Sequence, residues 1–370
     1  MAHIHPPFRA EHVGSLLRPT LLLEARDAFA QGKIDAQTLR DIEDQAIAAI
    51  IQRQQDIGLK SISDGEFRRT YFHLDFLQQL GGVEVTGAIH ASNTTSAQQG
   101  FAPPKLSVVG PLRHKQPIEV DNFHAIQRHL SQGVAKVTLP SPTMVHFRGG
   151  RAAIDVEAYP DLEPFFEDLA TVYQQELDAL YQAGCRYVQL DDTNLAYLCD
   201  PKMRAAAKER GENLETLPLQ YAELINKAIG QRPKDMVIGI HLCRGNFRSS
   251  WFAEGGYEAV ADVLFNALDV DTYFLEYDDA RSGDFSPLRY LPSSKTSVLG
   301  IVSSKVAALE DKAAVIERLQ EAVEYTSLDQ LCLSPQCGFA STVHGNALTE
   351  EEQWAKLKLV VDIAKEIWGE

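Results

Sequence analysis

Short apolar runs rich in β-branched residues alternate along this chain with longer amphipathic stretches, and that alternation predicts the fold. Eight runs have strand length and composition: "FRAEHVGS" (8–15), "LKSISDGE" (59–66), "AKVTLPSP" (135–142), "RYVQLDD" (186–192), "MVIGIHLC" (236–243), "DTYFLEYD" (271–278), "TSVLGIVSS" (296–304) and "QLCLSPQC" (330–337). Helical stretches lie between most of them. Residues 20–58 follow the first run, and residues 162–184 precede the fourth with apolar positions at three-four spacing and Gly184 as a stop. Residues 309–325 and 349–368 flank the eighth. Strands alternating with helices imply parallel pairing, and eight such units predict an α/β fold of the (β/α)8 TIM-barrel type, one domain over 1–370. The alternative, an open doubly wound sheet, lacks a Gly-rich dinucleotide fingerprint after its first strand.

One stretch breaks the rhythm. Within residues 79–131, "VEVTGAIH" and "PPKLSVVGPL" surround the polar "ASNTTSAQQG". Two β-type runs around a polar tip predict a β-hairpin inserted after the second unit, either a lid or binding element or a surface elaboration.

Composition narrows the function. The 370 residues are 45% hydrophobic, which allows a large core. A net charge of −16 repels phosphate backbones and argues against nucleic acid as a partner. No apolar run approaches the ~20 residues of a membrane helix, so no membrane partner is expected. The start "MAHIHPPFRAEHVG" has no basic region followed by a hydrophobic segment. A cytoplasmic protein is therefore expected, self-associating at most into a homo-oligomer. Cys185, Cys199, Cys243, Cys332 and Cys337 are too sparse, and odd in number, for a disulfide framework. They read as core filler, metal ligands or nucleophiles; Cys332 and Cys185 fit the core, and Cys199 has no partner at useful spacing.

Polar residues collect at the C-terminal ends of the runs: Ser15, Glu66, Asp191 with Asp192, His241 with Cys243, Glu276, Ser303 with Ser304, and Cys337. In a (β/α)8 barrel these ends converge on one mouth, where the active site lies. His241 and Cys243 stand two apart, hence on one strand face about 6–7 Å apart at the backbone. Imidazole and thiolate are zinc ligands. Cys337 and Glu276 at other strand ends would complete a four-ligand set, with Asp278 an alternative carboxylate, and the sulfurs favour zinc over magnesium or calcium. Two thiolates, a carboxylate and an imidazole leave a Zn²⁺ centre at net −1. Such a centre activates water poorly but holds an incoming thiol as thiolate. The chemistry suggested is attack by that thiolate on an alkyl group, with Glu276 as the displaceable ligand. A purely structural zinc site competes with this reading, although such sites usually use cysteines two to four residues apart, and this chain has no such pair.

"GIHLC" with "FLEYD" and "LSPQCGF" resembles the catalytic barrel of the cobalamin-independent methionine synthase family. The resemblance implies that His241, Cys243, Glu276 and Cys337 bind catalytic zinc. "VGS" (Val13–Ser15) is similar to the family's I-G-S, implying a role for Val13 and Ser15 at the amino-acid end of homocysteine. "DGE" and "QLDD" are similar to its H-G-E and Q-I-D-E, implying that Glu66 and Asp191 bind the substrate ammonium. The match runs from about residue 8 to 365. It implies an S-methyltransferase that uses zinc, a homocysteine-like thiol and a methyl donor.

Two departures concern that donor. Val302 stands in "GIVSSK" where the family has a proton-donating His, and "LPSPTMVHF" has no counterpart of its folate-stacking Trp. Both are similar to short single-barrel relatives and to zinc alkyltransferases for other thiols such as coenzyme M, leaving folate, a methylcorrinoid, another methylated molecule or an epoxide open.

Other candidates are weaker. His73, His146 and His344 are candidates for acid groups or for supporting the site, against the surface position that a lone histidine in a polar loop more often takes, and His12 beside Val13 is better placed for such a role. Arg18 and Arg113 would suit an anionic substrate tail, the alternative being two solvated side chains. Lys305, after the seventh run, suggests a Schiff-base barrel lyase, which needs a desolvated amine with a depressed pKa. A non-enzymatic reading is a zinc-stabilised binding module.

Overall fold

The computed structural model describes residues 5–88 and 104–369. Its strands are β1 (Ser61–Ile62), β2 (Gly81–Ala88), β3 (Pro104–Arg113), β4 (Val134–Ala135), β5 (Val137–Pro140), β6 (Tyr187–Asp192), β7 (Val237–Leu242), β8 (Thr272–Glu276), β9 (Thr296–Val302) and β10 (Leu331–Pro335). A six-stranded sheet runs β10-β9-β8-β7-β6-β5, every pair parallel. β1 pairs parallel with β4, and only Lys136 separates β4 from β5. At the other edge Ala10 makes a parallel bridge to Leu333. The fold is thus α/β with a parallel sheet, as the alternating runs predict.

The first two runs are extended only in part. Gly14 (φ +131°), Gly65 (φ +66°) and Glu66 (φ +59°) leave the extended region, so 8–15 contributes a single bridge and 59–66 a two-residue strand. The two segments still hold each other: Leu16 N–H donates to Gly65 O at 3.0 Å and Ser63 Oγ to Gly14 O at 2.6 Å. β2 and β3 pair antiparallel, matching the two β-type runs of 79–131, while the polar tip lies outside the described residues.

Helices Thr20–Ala30 and Ala36–Ile57 replace the continuous stretch 20–58. The break falls at Gly32 (φ +68°), and Asp35 restarts the chain by capping Thr38 N–H at 2.8 Å. Helix Leu162–Ala183 ends at Gly184 in the left-handed conformation, as its sequence predicts. Among the described residues no helix is long and apolar enough to cross a membrane.

Two apolar clusters follow from strand alternation. The larger contains helix-facing residues such as Leu190, Ile240 and Leu299. The smaller, Tyr187, Phe274, Val298 and Cys332, comes from the opposite sheet face and is separate from it. Cys332 and Cys185 are buried in these clusters, as expected.

Candidate active site

A cavity of about 260 Å³ opens at the C-terminal ends of the parallel strands. Val13, Ser15, Glu66, Asp191, His241, Cys243 and Cys337 all line it. Seven of the eight expected site residues are therefore brought together from five separate segments. Glu276, the eighth, does not line the cavity.

β7 presents His241 and delivers Cys243 one residue past its end. Cys337 follows β10. Ligand atoms of these three buried residues lie within 4.8 Å of one another, and the two sulfurs are 3.3 Å apart. Gly245 N–H donates to Cys243 Sγ at 3.2 Å. The hydrogen bond with Cys243 pulls Cys337 well below the usual thiol range, helped by His241 and Lys305 against burial. The same bond pushes Cys243 up. Burial works against a charged His241, but Cys337, Asp191 and Glu276 outweigh it and raise its pKa. Neither ring nitrogen of His241 has a hydrogen-bond partner, although the residue is only 2% exposed. An orphaned buried imidazole beside two close thiols is a donor set that fits a soft divalent metal.

Glu276, at the end of β8, is fully buried with both oxygens occupied. Oε1 accepts from Arg281 at 2.6 Å and Lys305 at 3.3 Å, and Oε2 from Arg244 N–H at 2.9 Å. Burial pushes its pKa up, but Lys305, Arg281 and Arg244 bring it down to about 2. Asp278, the alternative carboxylate, accepts from Ser303 Oγ and Arg281. Burial alone would lower the Lys305 pKa; Glu276 and the two cysteines raise it instead. It is thus a charged ammonium rather than the depressed amine that Schiff-base chemistry requires.

The other side of the cavity carries unmet hydrogen-bonding capacity. Glu66 Oε1 accepts from Thr138 at 2.8 Å, while its buried Oε2 has no partner. Glu66 is also a non-glycine residue in the left-handed region, a backbone state that clusters at functional sites. Asp191 accepts from Gln189 at 2.7 Å, and burial with the Glu66 charge pushes its pKa up to about 7. Asn246 also lines the cavity with a buried, unpartnered Oδ1, while its Nδ2 donates to Gly338 O at 2.7 Å. Ser15 sits against Gly338, where a Cβ would fall 1.9 Å from Ser15 Oγ, so no other residue fits.

Several expectations need correction. His73 and His146 are buried, not on the surface: His73 packs on Phe72 with ring centroids 4.6 Å apart and lines the cavity, and His146 bonds Tyr221 at 2.8 Å. His344 is exposed, as expected. His12 is buried against Ser61 O at 2.9 Å and does not line the cavity. Arg18 is buried, donating to Ala340 O and Glu66 O at 2.7 Å each, so it braces the site loops instead of facing a substrate tail. Arg113 is exposed on β3.

Sequence reasoning missed Asn246 and the aromatic wall of Tyr71, Phe72, Phe147, Tyr197, Phe247 and Phe252, joined by Arg148. Most lie in loops just beyond β-type runs, and that position is the signal that could have found them.

Residues 9–366 match the catalytic domain of the cobalamin-independent synthases, and the chain belongs to that family. It is an enzyme, a methyltransferase of the methionine synthase type. The uncharacterized protein YxjH of Bacillus subtilis (strain 168) is 46% identical over 366 residues, 98% of this chain and 95% of that protein. A methionine synthase of Pyrococcus horikoshii is 25% identical over 327 residues, 88% of this chain and 84% of that protein. Among solved structures, the putative vitamin-B12 independent methionine synthase from Listeria monocytogenes aligns over 100% of both chains with a TM-score of 0.79 and 40% identity.

Proposed function

We propose that this chain is a zinc-dependent S-methyltransferase that methylates homocysteine to methionine. The observation that carries the reading is one cavity holding two halves of a thiol amino-acid site. His241, Cys243 and Cys337 form the soft metal-ligating end. Glu66, Asp191 and Asn246 form an acceptor-rich end suited to an ammonium, with Ser15 as a hydroxyl donor for the carboxylate. Zinc held by the trio supplies a Lewis acid that keeps a thiol deprotonated at neutral pH.

The residues of the chain do the rest. Glu66 and Asp191 fix the ammonium, Ser15 and the backbone beside Gly14 take the carboxylate, and the aromatic wall excludes water from the reacting sulfur. The thiolate sulfur attacks the donor's methyl carbon. The S–C bond forms as the methyl–donor bond breaks, and the electron pair leaves with the donor. The donor is folate or another methylated molecule; Val302, which stands where the resemblance puts a proton-donating His, is a buried core residue that does not line the cavity. The parallel pairings, with the 10–333 bridge and the contacts of 14–16 to 63–65, support one closed (β/α)8 domain carrying β2–β3 as an inserted hairpin. A cytoplasmic setting agrees with five free cysteines.

Metal analysis with zinc X-ray absorption, with and without homocysteine, tests the reading. One zinc per chain that gains a sulfur neighbour on adding homocysteine is expected; no zinc, or an unchanged set of neighbours, overturns it. Glu66→Gln keeps shape and removes charge at the ammonium. A charge-assisted hydrogen bond contributes about 1.5–3 kcal/mol, so KM for homocysteine should rise about 10- to 100-fold. The zinc content should not change, and steady-state kinetics with metal analysis checks both.

A further inference from the structure

One base lining the cavity has no part in the reading above. Glu66 and Asp191 serve the ammonium there, and His241 the metal end. Asp192 is fully engaged: Oδ2 accepts from Thr143 at 2.5 Å, and Oδ1 from the N–H groups of Asn194 and Leu195 at 2.7 and 2.9 Å. His73 remains, 5% exposed and with Nδ1 buried without a hydrogen-bond partner. A ring nitrogen bonded to the protein fixes the tautomer; His73 is not held that way at Nδ1. Its segment hangs from the loop that follows Cys337. Phe72 N–H donates to Ser341 O at 3.0 Å and Val343 N–H to Thr70 O at 2.8 Å, while Ser341 Oγ lies 3.8 Å from Cys337 Sγ. The ring packs between Phe72, at 4.6 Å, and the edge of Tyr71, at 6.5 Å. Burial, helped by the Arg148 charge, pushes its pKa well below the ordinary value, so it waits neutral. Of the other titratable neighbours, Asp75 Oδ2 is taken by Thr70 and Tyr71 N–H, and burial pushes the Tyr71 hydroxyl up.

We propose that His73 is the proton relay of the reaction, taking the proton of the incoming thiol and returning it to the donor as the methyl group leaves. The inference rests on the methyl-transfer reading above and adds the path of the proton. The thiol S–H bond breaks and its proton passes to the imidazole. The negative charge that then stands in the cavity favours the charged ring, against the burial that disfavours it. The sulfur forms the S–C bond as the methyl carbon parts from a nitrogen or oxygen of the donor. The electron pair stays on that atom, and the imidazolium, made a strong acid by its burial, gives the proton to it. A thioether and a protonated leaving group result, and His73 ends neutral as it began.

The test counts protons on the full, zinc-loaded chain at about pH 7.5, below the ordinary thiol pKa of ~8.5. Calorimetric titration in two buffers of different ionisation heat gives the protons released by homocysteine and by methionine. Methionine has the same amino-acid end and no thiol, so the difference is the fate of the thiol proton. The native chain should show almost no difference, and His73→Gln a difference of about 1 proton per thiol. A native chain that already releases that proton, or a variant that does not, overturns the proposal. Methyl iodide, whose leaving iodide takes no proton, should methylate the bound thiol of both chains at rates within about threefold of each other. A variant that is slow with it as well has a misplaced thiol, which overturns the relay in favour of a structural role. Should the variant not fold, ¹⁵N-histidine spectra of the native chain decide. Homocysteine, but not methionine, should turn one neutral ring into imidazolium, and unchanged spectra overturn the relay. A native chain that does not bind homocysteine brings down the proposed function instead, so the two failures are distinguishable.

Discussion

Cys337→Ser is expected to abolish zinc binding and to lower methyl transfer by at least about 10³-fold, equivalent to about 4 kcal/mol of transition-state stabilisation. Cys337 is one of three residues whose ligand atoms meet within 4.8 Å, and its sulfur lies 3.3 Å from that of Cys243. Its hydrogen bond with Cys243, together with His241 and Lys305, pulls it toward the thiolate, the form that binds a metal. A serine hydroxyl stays protonated at neutral pH and gives a soft divalent metal little in return.

The fold should survive. Serine is nearly isosteric, and polar atoms already face the position, Cys243 Sγ at 3.3 Å and Ser341 Oγ at 3.8 Å. Circular dichroism should be unchanged, and urea unfolding should shift by no more than about 1–2 kcal/mol. Elemental analysis and a methyl-transfer assay complete the comparison. An active variant with zinc still bound would remove Cys337 from the ligand set.

His241 and Cys243 were legible because a strand has period two: residues two apart share a face whatever the tertiary context. Ser15, Glu66, Asp191 and Cys337 were legible as ends of β-type runs, since parallel strands bring such ends to one side. The hydrogen-bond partners of Glu276 were not. Lys305 lies 29 residues away and reaches it across the ends of neighbouring strands, a contact with no local signature. Likewise, the buried positions of His73, His146 and Arg18 are set by loops folding back over the strand ends. Polarity suggested the surface for the two histidines and a substrate tail for Arg18, but buried polar groups are tolerated where partners or a ligand are supplied. Arg18 finds backbone carbonyls, His146 finds Tyr221, and His73 leaves Nδ1 unpartnered beside the cavity. The first two runs were over-read because Gly14 and Gly65 sit inside stretches that otherwise alternate like strands. A glycine with positive φ reveals itself only through its backbone.

Lys136→Met should destabilise the chain by about 3–5 kcal/mol, the cost of leaving a buried charge without its partner. Lys136 and Glu11 are both fully buried, with Nζ 3.2 Å from Oε2. Glu11 also accepts from Ser61 Oγ at 2.7 Å, Phe8 N–H at 3.1 Å and Tyr187 OH at 3.1 Å. Lys136 further donates to His12 O and to Gln189 Oε1, and its ammonium lies 4.9 Å from the Phe274 ring centre. One ion pair thus ties the first segment to β1, to the β4–β5 junction and to β6. Through Gln189, which bonds both Asp191 and Val13 O, it also braces the substrate end of the site. Methionine fills the aliphatic volume but leaves the Glu11 carboxylate facing three neutral donors and no cation. Glu11→Gln/Lys136→Met should recover more than half of the loss, because removing both charges leaves an uncharged amide among donors and apolar rings. Urea unfolding of the two variants and the native chain measures this directly. A single variant within about 1 kcal/mol of native would show that the pair does not hold these segments together, and a double variant no better than the single would place the loss in packing rather than charge.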